Sequence, residues 1–420
     1  MSKKDIIVGI DIGSSNIRTV IAQVFPEEEM PRIIGVGTTE SAGLRKGVVV
    51  DLEEAIRTIS ESVEKAERNS GRTVEKAVVN LGGNHITSQD SKGVIAVGRA
   101  DGEVTEDDIT RVINAAQAIS IPSNKEIVHV IPKNYSLDDQ RGIKDPLGMN
   151  GVRLEVDAMI IEGSTPFVRN LIKCVEQSRI TPDAFVLSPL AAAKAVLSKR
   201  QKELGVVLVD IGGGTTSIAV FEENDLLHTA VLPIGGGHIT NDIAIGLRTS
   251  IDVAEKVKLE YGNALPKEIG KKEDINLSAI DSNEEGSVSR YHVAEIIEAR
   301  LEEIFSLVNK ELKSIGREKL LPAGVVLTGG TAKLPGAVDL AKNILSLPAQ
   351  AGFPVPLGGL VDKVDDPSYA TAVGLLLWGL ESSPYRKKNE GERSRLVTNI
   401  SSGMGSSISG IKKWLSKFLP

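Results

Sequence analysis

The sequence predicts an α/β protein of at least two domains, and three observations support this prediction. The first is an internal repeat, because VGIDIGSSNIRTVIA at residues 8–22 returns as VLVDIGGGTTSIAVF at residues 207–221. The second is a further glycine turn within GVVLTGGTAKLPGAVDLA at residues 324–341. The third is composition, since 41 glycines and only 3% aromatic residues suit sheets of Val, Ile and Ala joined by glycine-rich turns. A length of 420 residues also favours two or more domains.

Each copy of the repeat is predicted to form a β-hairpin with a tight turn. An apolar strand leads into Asp-Ile-Gly, small or hydroxyl residues follow, and a second apolar strand completes the hairpin. The equivalent positions are Asp11 and Asp210, Gly13 and Gly212, Ser14 and Gly213, Ser15 and Gly214, and Asn16 and Thr215.

The residue types of these two turns suit a phosphate-binding site. Backbone N–H groups reach phosphate oxygens where Gly or Ser leaves space, and the hydroxyls of Ser14, Ser15 and Thr215 can add hydrogen bonds. Asp11 and Asp210 would not touch phosphates, because like charges repel; they would hold the hydration shell of Mg²⁺. We therefore expect the hairpins to face each other and clamp a triphosphate with its Mg²⁺. The alternative interpretation is a pair of glycine-rich β-turns without a ligand.

The third glycine turn is expected to bind the base and sugar of the same nucleotide. A strand enters TGGTAKLPG, and a helix is predicted to begin near Pro335. The residues predicted to line this part of the site are Gly329, Gly330, Thr331 and Lys333.

Charge, cysteine and histidine content exclude several other classes of protein. A net charge of −7 provides no basic excess for binding nucleic acid. The single cysteine, Cys174, cannot form an internal disulfide and suits a reducing compartment. The five histidines are scattered without ligand spacing, so no structural zinc is expected. No segment resembles a signal peptide or approaches the roughly 20 apolar residues of a membrane span, which favours a cytoplasmic location.

Two further segments have recognisable patterns. Residues 85–163 form a predicted small unit with β-like alternation at 93–100, a helix at 105–119 with Thr105 as its N-cap, and two further strands. Further along the chain, VAEIIEARLEEIFSLVNKELKSIG predicts a long helix with one apolar stripe. The stripe consists of Val293, Ile296, Ile297, Leu301, Ile304 and Phe305.

The C-terminal end predicts a peripheral membrane anchor on a flexible tether. Residues 385–407 are polar and rich in Gly and Ser, and no acidic residue follows Ser394. Residues 408–420 would form a helix of roughly 20 Å, too short to cross a bilayer but suited to the surface of anionic lipids. Its apolar face would be Ile408, Ile411, Trp414, Leu415, Phe418 and Leu419, with Lys413 and Lys417 opposite and Lys412 at the edge. The alternative is a helix that packs on its own protein.

The order of the three glycine motifs resembles the superfamily of actin, heat-shock chaperones and sugar kinases. Members of this superfamily have two α/β lobes with ATP in the cleft between them. AFVLSPLAAAKAVL at 184–197 and YATAVGLLLWG at 369–379 look like the two helices between the lobes, where small Ala372 and Gly374 would allow close approach. The resemblance therefore implies an actin-like two-lobe ATPase fold with an ATP cleft.

The same resemblance has two consequences for the nucleotide. The helix AEKVKLEYG at 254–262 is similar to one whose Glu and Lys reach the ribose, so Glu255 and Lys258 would contact ATP. Other members place a Glu or Gln before the P-x-A-A-A turn to activate water, and the aligned residue here is Ser188. A serine without a base activates water poorly, so at most weak ATPase activity is expected.

Within this superfamily the chain resembles the FtsA family of bacterial cell-division proteins over nearly its whole length. IVHVIPKNYSLDDQRGIKDPLGMNGVRLEVDAMIIEG at 127–163 is similar to the subdomain 1C of that family. The resemblance implies a first-lobe core (1A) at 1–84, 164–199 and 364–384, subdomain 1C at 85–163, a second-lobe core (2A) at 200–242 and 306–363, subdomain 2B at 243–305, the linker at 385–407 and the membrane helix at 408–420.

The family resemblance also implies partners and a location. Subdomain 2B would bind the C-terminal tail of FtsZ with Arg300 as a contact, the alternative being an Arg300 paired with Glu303 or a neighbour. The protein would form head-to-tail filaments with itself, bind other division proteins, and lie at the cytoplasmic face of the cell membrane at the division site. Two alternative functions are a PilM-like platform for pilus assembly, which needs no amphipathic tail, and an ATP-consuming chaperone or kinase.

Overall fold

The fold is described from a computed structural model of the chain. It describes residues 6–25, 28 and 30–382. The predicted linker at 385–407 and the predicted membrane helix at 408–420 lie outside the described residues.

The first lobe begins with a three-stranded meander followed by a long helix. The carboxylate of Asp51 caps the helix by accepting the Glu54 N–H, and the helix ends at Gly71 in the left-handed conformation (φ 65°). The elements are β1 Ile6–Ile12, β2 Asn16–Gln23, β3 Arg32–Glu40, β4 Leu44–Arg45, β5 Val48–Val49, α1 Leu52–Ser70 and β6 Lys76–Leu81.

The segment that follows β6 forms a separate antiparallel sheet with its own core. The predicted N-cap Thr105 is confirmed, because Thr105 and Asp108 form a reciprocal capping box at the start of the helix. Val112 and Ile113 of that helix pack against Tyr135 and Leu154 of the sheet. The elements are β7 Thr87–Ala96, α2 Glu106–Ala116, β8 Lys125–Leu137, β9 Gln140–Ile143 and β10 Arg153–Ser164, in the sheet order β7-β10-β8-β9.

The chain then completes the first lobe and builds the second. The next elements of the first lobe are α3 Thr165–Gln177, β11 Thr181–Leu187 and α4 Ser188–Val196, and α5 Lys199–Leu204 leads into the second lobe, where the Glu203 carbonyl oxygen accepts the Glu223 N–H. Those of the second are β12 Val206–Ile211, β13 Thr216–Glu222, β14 Asp225–Leu232, α6 Gly236–Leu247, α7 Ile251–Tyr261, β15 Asp274–Asn276, β16 Ser287–Ser289, α8 Arg290–Ser314, β17 Gly324–Thr328, α9 Ala337–Leu345 and β18 Ala349–Ala351. The chain returns to the first lobe with β19 Gly358–Gly359 and α10 Ala370–Ser382. Short 3₁₀ turns occupy Pro266–Glu268, Leu277–Ala279, Gly330–Lys333, Val361–Lys363 and Pro367–Tyr369.

The two lobes have the same sheet topology. The first sheet runs β3-β2-β1-β6-β11, with β19 beside β3, and the second runs β14-β13-β12-β17-β18. In both sheets the hairpin strands pair antiparallel, while the inner strands that follow pair parallel. Asp11 and Asp210 occupy equivalent places near the carboxyl ends of β1 and β12. Ligands of open parallel sheets bind beyond that edge, so the repeat places both aspartates where a ligand is expected.

The long helix α8 carries the predicted apolar stripe. Val293, Ile297, Leu301, Ile304 and Phe305 are all fully buried, while Ile296 is half-buried. The helix continues to Ser314, so a subdomain boundary at 305 would fall within it.

The two predicted connecting helices, α4 and α10, pack tightly against each other between the sheets. A Cβ built at Gly374 of α10 would lie 1.8 Å from the Ala191 carbonyl oxygen of α4. A Cβ at Gly9 of β1 would lie 2.6 Å from the Ala372 carbonyl oxygen. The predicted need for a small residue at Gly374 is confirmed, because no Cβ fits there beside α4. At Ala372 the close neighbour is Gly9 of β1.

Candidate functional site

The structure brings the two predicted hairpins together. A Cβ built at Gly213 would lie 1.8 Å from Ser15 Oγ, and one at Gly214 would lie 2.8 Å from Ser14 Oγ. The turn of the first lobe therefore contacts the turn of the second, and glycine at these positions makes the contact possible. Their role in binding a ligand stays a prediction.

Asp11 and Asp210 also lie close enough to influence each other. Burial raises the pKa of Asp11 to about 7. The Arg18 guanidinium opposes this increase, whereas the charge of Asp210 adds to it. Burial likewise raises the pKa of Asp210 to about 6, opposed by a hydrogen bond from Thr371 and by Arg18. Two carboxylates that are costly to ionise in the protein alone are suited to a site where a cation stabilises their charge.

Arg18 was missed by sequence reasoning, although it lies on the strand after the first turn. It pairs with Asp11 in the β1–β2 register, and its guanidinium lies 3.9 Å from the Asp11 carboxylate. Its Nε and the Oγ of Ser41 are buried without a hydrogen-bond partner in the described part of the chain. Ser41 donates its backbone N–H to the Ser15 carbonyl oxygen (2.9 Å), so this spare hydrogen-bonding capacity lies beside the first turn.

Asn80 is a second residue that sequence reasoning missed. It is the penultimate residue of the buried strand β6, and its Oδ1 accepts the Ile12 N–H at 2.7 Å. Its Nδ2 donates to Asp11 Oδ1 at 2.9 Å and to Ser188 Oγ at 3.1 Å. Asn80 thus holds the Asp11 carboxylate in place. The available signal was a polar residue near the carboxyl end of an apolar strand. The sequence alone does not show that this strand, β6, pairs with β1.

Another glycine run packs behind the turn of the second hairpin. The N–H groups of Gly236 and Gly237 donate to the carbonyl oxygens of Gly212 and Gly213, both at 2.8 Å. A Cβ at Gly235 would lie 2.4 Å from the Gly212 carbonyl oxygen. The sequence IGGGH at 234–238 carried this signal, since three glycines before a helix indicate a close backbone approach.

The predicted ribose contacts, Glu255 and Lys258, lie next to the glycine run at 235–237. Lys258 is buried, and its Nζ donates to Thr240 Oγ1 at 2.8 Å and to the Glu255 carboxylate at 2.5 Å. Glu255 also accepts a hydrogen bond from Thr240. The pair is therefore held on α6 and α7, close to Gly236, whose carbonyl oxygen lies 3.4 Å from Lys258 Nζ.

Only some residues of the third glycine turn lie near Asp210 and the glycine run at 235–237. Gly329 has φ 83°, and a Cβ there would lie 2.4 Å from Asp210 Oδ1. Thr331 approaches the second glycine run, because a Cβ at Gly236 would lie 2.4 Å from its hydroxyl. Lys333 is instead exposed and forms an ion pair with Asp366 at 2.5 Å.

Arg300, the predicted partner contact, is occupied by two acidic neighbours. Its Nε and one terminal nitrogen donate to both oxygens of Asp242, at 2.6 and 2.9 Å. The same guanidinium also donates to Glu303. A partner carboxylate would have to compete with these two residues.

The residues at the two turns fit a Mg²⁺–nucleotide. The turns supply glycine-rich backbone and hydroxyls for phosphate oxygens, and two carboxylates, one buried and one half-buried, for a hard cation. In residues 6–25, 28 and 30–382 no group of three or more His, Cys, Asp or Glu side chains could hold a metal ion. A Mg²⁺ at this edge would therefore depend on Asp11 and Asp210 together with water and phosphate oxygens.

No helix of the described chain is long and apolar enough for a membrane span.

Two lobes of matching topology, each presenting an aspartate-bearing hairpin to the other, define an actin-like α/β protein. The PilM–PilN type IV pilus biogenesis complex has a TM-score of 0.66 at 18% identity, covering 89% of this chain and 98% of that chain. MreB5 of Spiroplasma citri bound to ADP has a TM-score of 0.53 at 13% identity, covering 93% of this chain and 100% of that chain. At these identities the likeness establishes the fold alone.

Sequence comparison defines the family. A family model for cell division protein FtsA matches residues 207–374, and a model for the SHS2 domain inserted in FtsA matches residues 83–162. Cell division protein FtsA of Pseudomonas aeruginosa is 43% identical over 375 residues, which is 89% of this chain and 89% of that protein. The chain belongs to the FtsA family of cell division proteins.

Proposed function

We propose that this protein is an ATP-binding adaptor that assembles into filaments and tethers FtsZ filaments to the cytoplasmic face of the cell membrane at the division site. The observation that carries the proposal is the contact between two matching hairpins, each headed by an aspartate of raised pKa and each contributed by a different lobe. Family membership supplies the setting in cell division.

The nucleotide would bind where the two hairpins meet. Ser14 and Ser15 on one turn and Gly213 and Gly214 on the other would receive the phosphates. Glu255 and Lys258, which contact each other beside Gly236, would receive the ribose. A bound Mg²⁺ would neutralise phosphate charge and bridge the two lobes electrostatically. Asp11 and Asp210 would hold it through water, and Asn80 keeps Asp11 oriented for that role.

Hydrolysis is expected to be slow because the residue that would activate water is a serine. Ser188 Oγ donates to the Leu81 carbonyl oxygen at 3.1 Å and accepts from Asn80, so its hydroxyl is already engaged. No general base accompanies it in these contacts. We expect ATP bound to the purified protein to persist over many minutes, measured by single-turnover release of phosphate. Turnover at several per second would contradict this assignment.

Subdomain 2B is the proposed dock for the C-terminal tail of FtsZ. Ile245, Ile251 and Leu259 on α6 and α7 are 77%, 60% and 69% exposed, which is unusual for such side chains and provides an apolar surface. Arg300 lies on the neighbouring α8, bound to Asp242 of α6. A carboxylate of the tail would displace Asp242 from this arginine, while apolar residues of the tail would cover Ile245, Ile251 and Leu259.

The C-terminal residues 408–420 are the proposed membrane anchor. One short amphipathic helix binds membranes weakly, so filament formation would supply the avidity that holds FtsZ at the surface. This part of the proposal rests on the sequence, since these residues lie outside the described ones.

The decisive experiment is co-sedimentation with anionic vesicles and FtsZ, with and without ATP. We expect the full chain to bring FtsZ down with vesicles, and a chain lacking residues 406–420 to lose vesicle binding by more than about tenfold. Trp414→Glu should behave like the truncation, because it charges the predicted apolar face. Ser416→Glu adds the same charge on the predicted polar face and should retain most of the binding.

Two outcomes would overturn the proposal. Equal vesicle binding by the full and truncated chains would remove the anchor and favour the PilM-like alternative. Failure of FtsZ to follow the full chain would remove the adaptor role.

A further inference from the structure

A short hairpin, β4–β5, has an unusual residue at its tip. Arg45 pairs with Val48, and the two turn residues Lys46 and Gly47 have φ 52° and 75°. These values describe a two-residue type I′ turn, which strongly prefers Asn, Asp or Gly at both central positions. A lysine with a left-handed backbone is costly there, so the turn itself does not account for its presence.

The tip lies against both phosphate-binding turns. Gly47 donates its N–H to Ser14 Oγ at 2.8 Å, which fixes the tip to the turn of the first lobe. A Cβ built at Gly214 would lie 3.2 Å from the Cα of Lys46, so the tip also contacts the turn of the second lobe. A Cβ at Gly47 would lie 2.5 Å from the Cα of Gly83, which leaves only glycine room for this placement.

The charge of Lys46 has no internal use. The side chain is half-buried, and no hydrogen bond or ion pair to it occurs within residues 6–25, 28 and 30–382. The cation that opposes the increase in the pKa of Asp11 and Asp210 is Arg18 rather than Lys46. A lysine stem of four carbons can carry its ammonium several ångströms over either turn.

We propose that Lys46 contacts the terminal phosphate of the bound nucleotide and that the β4–β5 hairpin thereby distinguishes a triphosphate from a diphosphate. The inference rests on the proposed nucleotide binding and adds a residue to it. The terminal phosphate is the group that both turns would share, and Lys46 is the residue whose backbone contacts the turn of the second lobe while its neighbour is bonded to the turn of the first. A diphosphate would lack the group that Lys46 reaches.

The test compares binding of Mg–ATP and Mg–ADP to full-length variants by calorimetry. Lys46→Asn removes the ammonium and inserts a residue that the type I′ turn favours, so the fold and thermal midpoint should be kept or slightly improved. Its affinity for Mg–ATP should fall about tenfold or more, because a charge-assisted contact is lost. Its affinity for Mg–ADP should change less than about threefold. Lys46→Arg should keep most of the preference for ATP.

Lys319→Asn is the matched control. Lys319 has φ 60° and is exposed, and it precedes β17 at the amino edge of the second sheet, opposite the edge that carries Asp210. This variant should bind both nucleotides like the unaltered protein.

The possible outcomes separate the two proposals. If the unaltered protein binds neither nucleotide, the proposed function fails and this inference fails with it. If the unaltered protein binds ATP and Lys46→Asn binds it equally well, or loses ATP and ADP to the same extent, the role of Lys46 is wrong while nucleotide binding stands.

Discussion

Asp11→Asn should stabilise the nucleotide-free protein and, at the same time, weaken its binding of Mg–ATP. The carboxylate is buried, and its pKa of about 7 shows that folding opposes its ionisation. At pH 8 the folded protein must hold this charge, so replacing it with a neutral amide should raise the free energy of unfolding by about 1–3 kcal/mol. The same amide cannot hold the waters of Mg²⁺ as a carboxylate does, so affinity for Mg–ATP should fall at least about tenfold.

The pH dependence of the unaltered protein follows from the same two aspartates. Their pKa values in the folded state lie above the ordinary value of 3.8. As the pH rises from about 4 to about 7, the unfolded chain ionises first, so the contribution of these groups to stability is lost over this range. Binding of Mg–ATP should show the opposite trend and strengthen between pH 6 and 8, because the ionised carboxylates favour the cation.

Denaturant unfolding and nucleotide calorimetry from pH 5.5 to 8 measure both effects. Asp157→Asn serves as the control, since Asp157 is exposed on the inserted unit and should alter neither quantity. A less stable Asp11→Asn protein at pH 8, or one with unchanged affinity for Mg–ATP, would show that Asp11 serves the fold rather than a cation.

Gly374→Val should cost about 3 kcal/mol or more of stability and disturb the relation between the lobes. Any Cβ at this position would lie 1.8 Å from the Ala191 carbonyl oxygen, and a backbone atom cannot rotate away. Helices α4 and α10 would have to separate within a fully packed core, which is among the most destabilising kinds of substitution. Because α4 begins at Ser188 beside Asn80, the separation should also weaken the site at Asp11.

Gly379→Ala on the same helix is the control for this effect. Its Cβ would lie 2.6 Å from the Cγ2 methyl of Ile7, a side-chain atom rather than a backbone carbonyl oxygen, and farther away than the 1.8 Å contact at Gly374, so the cost should be smaller. Thermal unfolding of the two variants checks the comparison. Equal losses of stability would mean that the crossing at Ala191 is more adaptable than its geometry indicates.

The hairpins were predictable because their information is local. Strand, Asp-Ile-Gly and small turn residues follow one another in the sequence, and a repeat of the whole pattern implies equivalent positions in equivalent folds. The helix cap at Thr105 and the small residues at Gly374 were predictable for the same reason, since each depends on a few neighbouring positions or on one helix face.

Residues brought to the site from elsewhere could not be predicted in this way. Asn80 lies 69 positions from Asp11 in sequence, and the parallel pairing of β6 with β1 makes them neighbours. Gly236 and Lys46 reach the two turns through backbone contacts that leave no periodic signal. Lys333, in contrast, had the right motif but its side chain is tied to Asp366.

The sequence by itself determined the duplicated hairpins, the family pattern and the amphipathic character of the last residues, because strand alternation, turn chemistry and helical periodicity are properties of adjacent positions. Only the tertiary structure decided that Asp11 and Asp210 share one electrostatic environment, that Asn80 orients the first of them and that Lys46 lies over both turns. Strand pairing and the packing of one lobe on the other set those distances, and neither is encoded within a single segment.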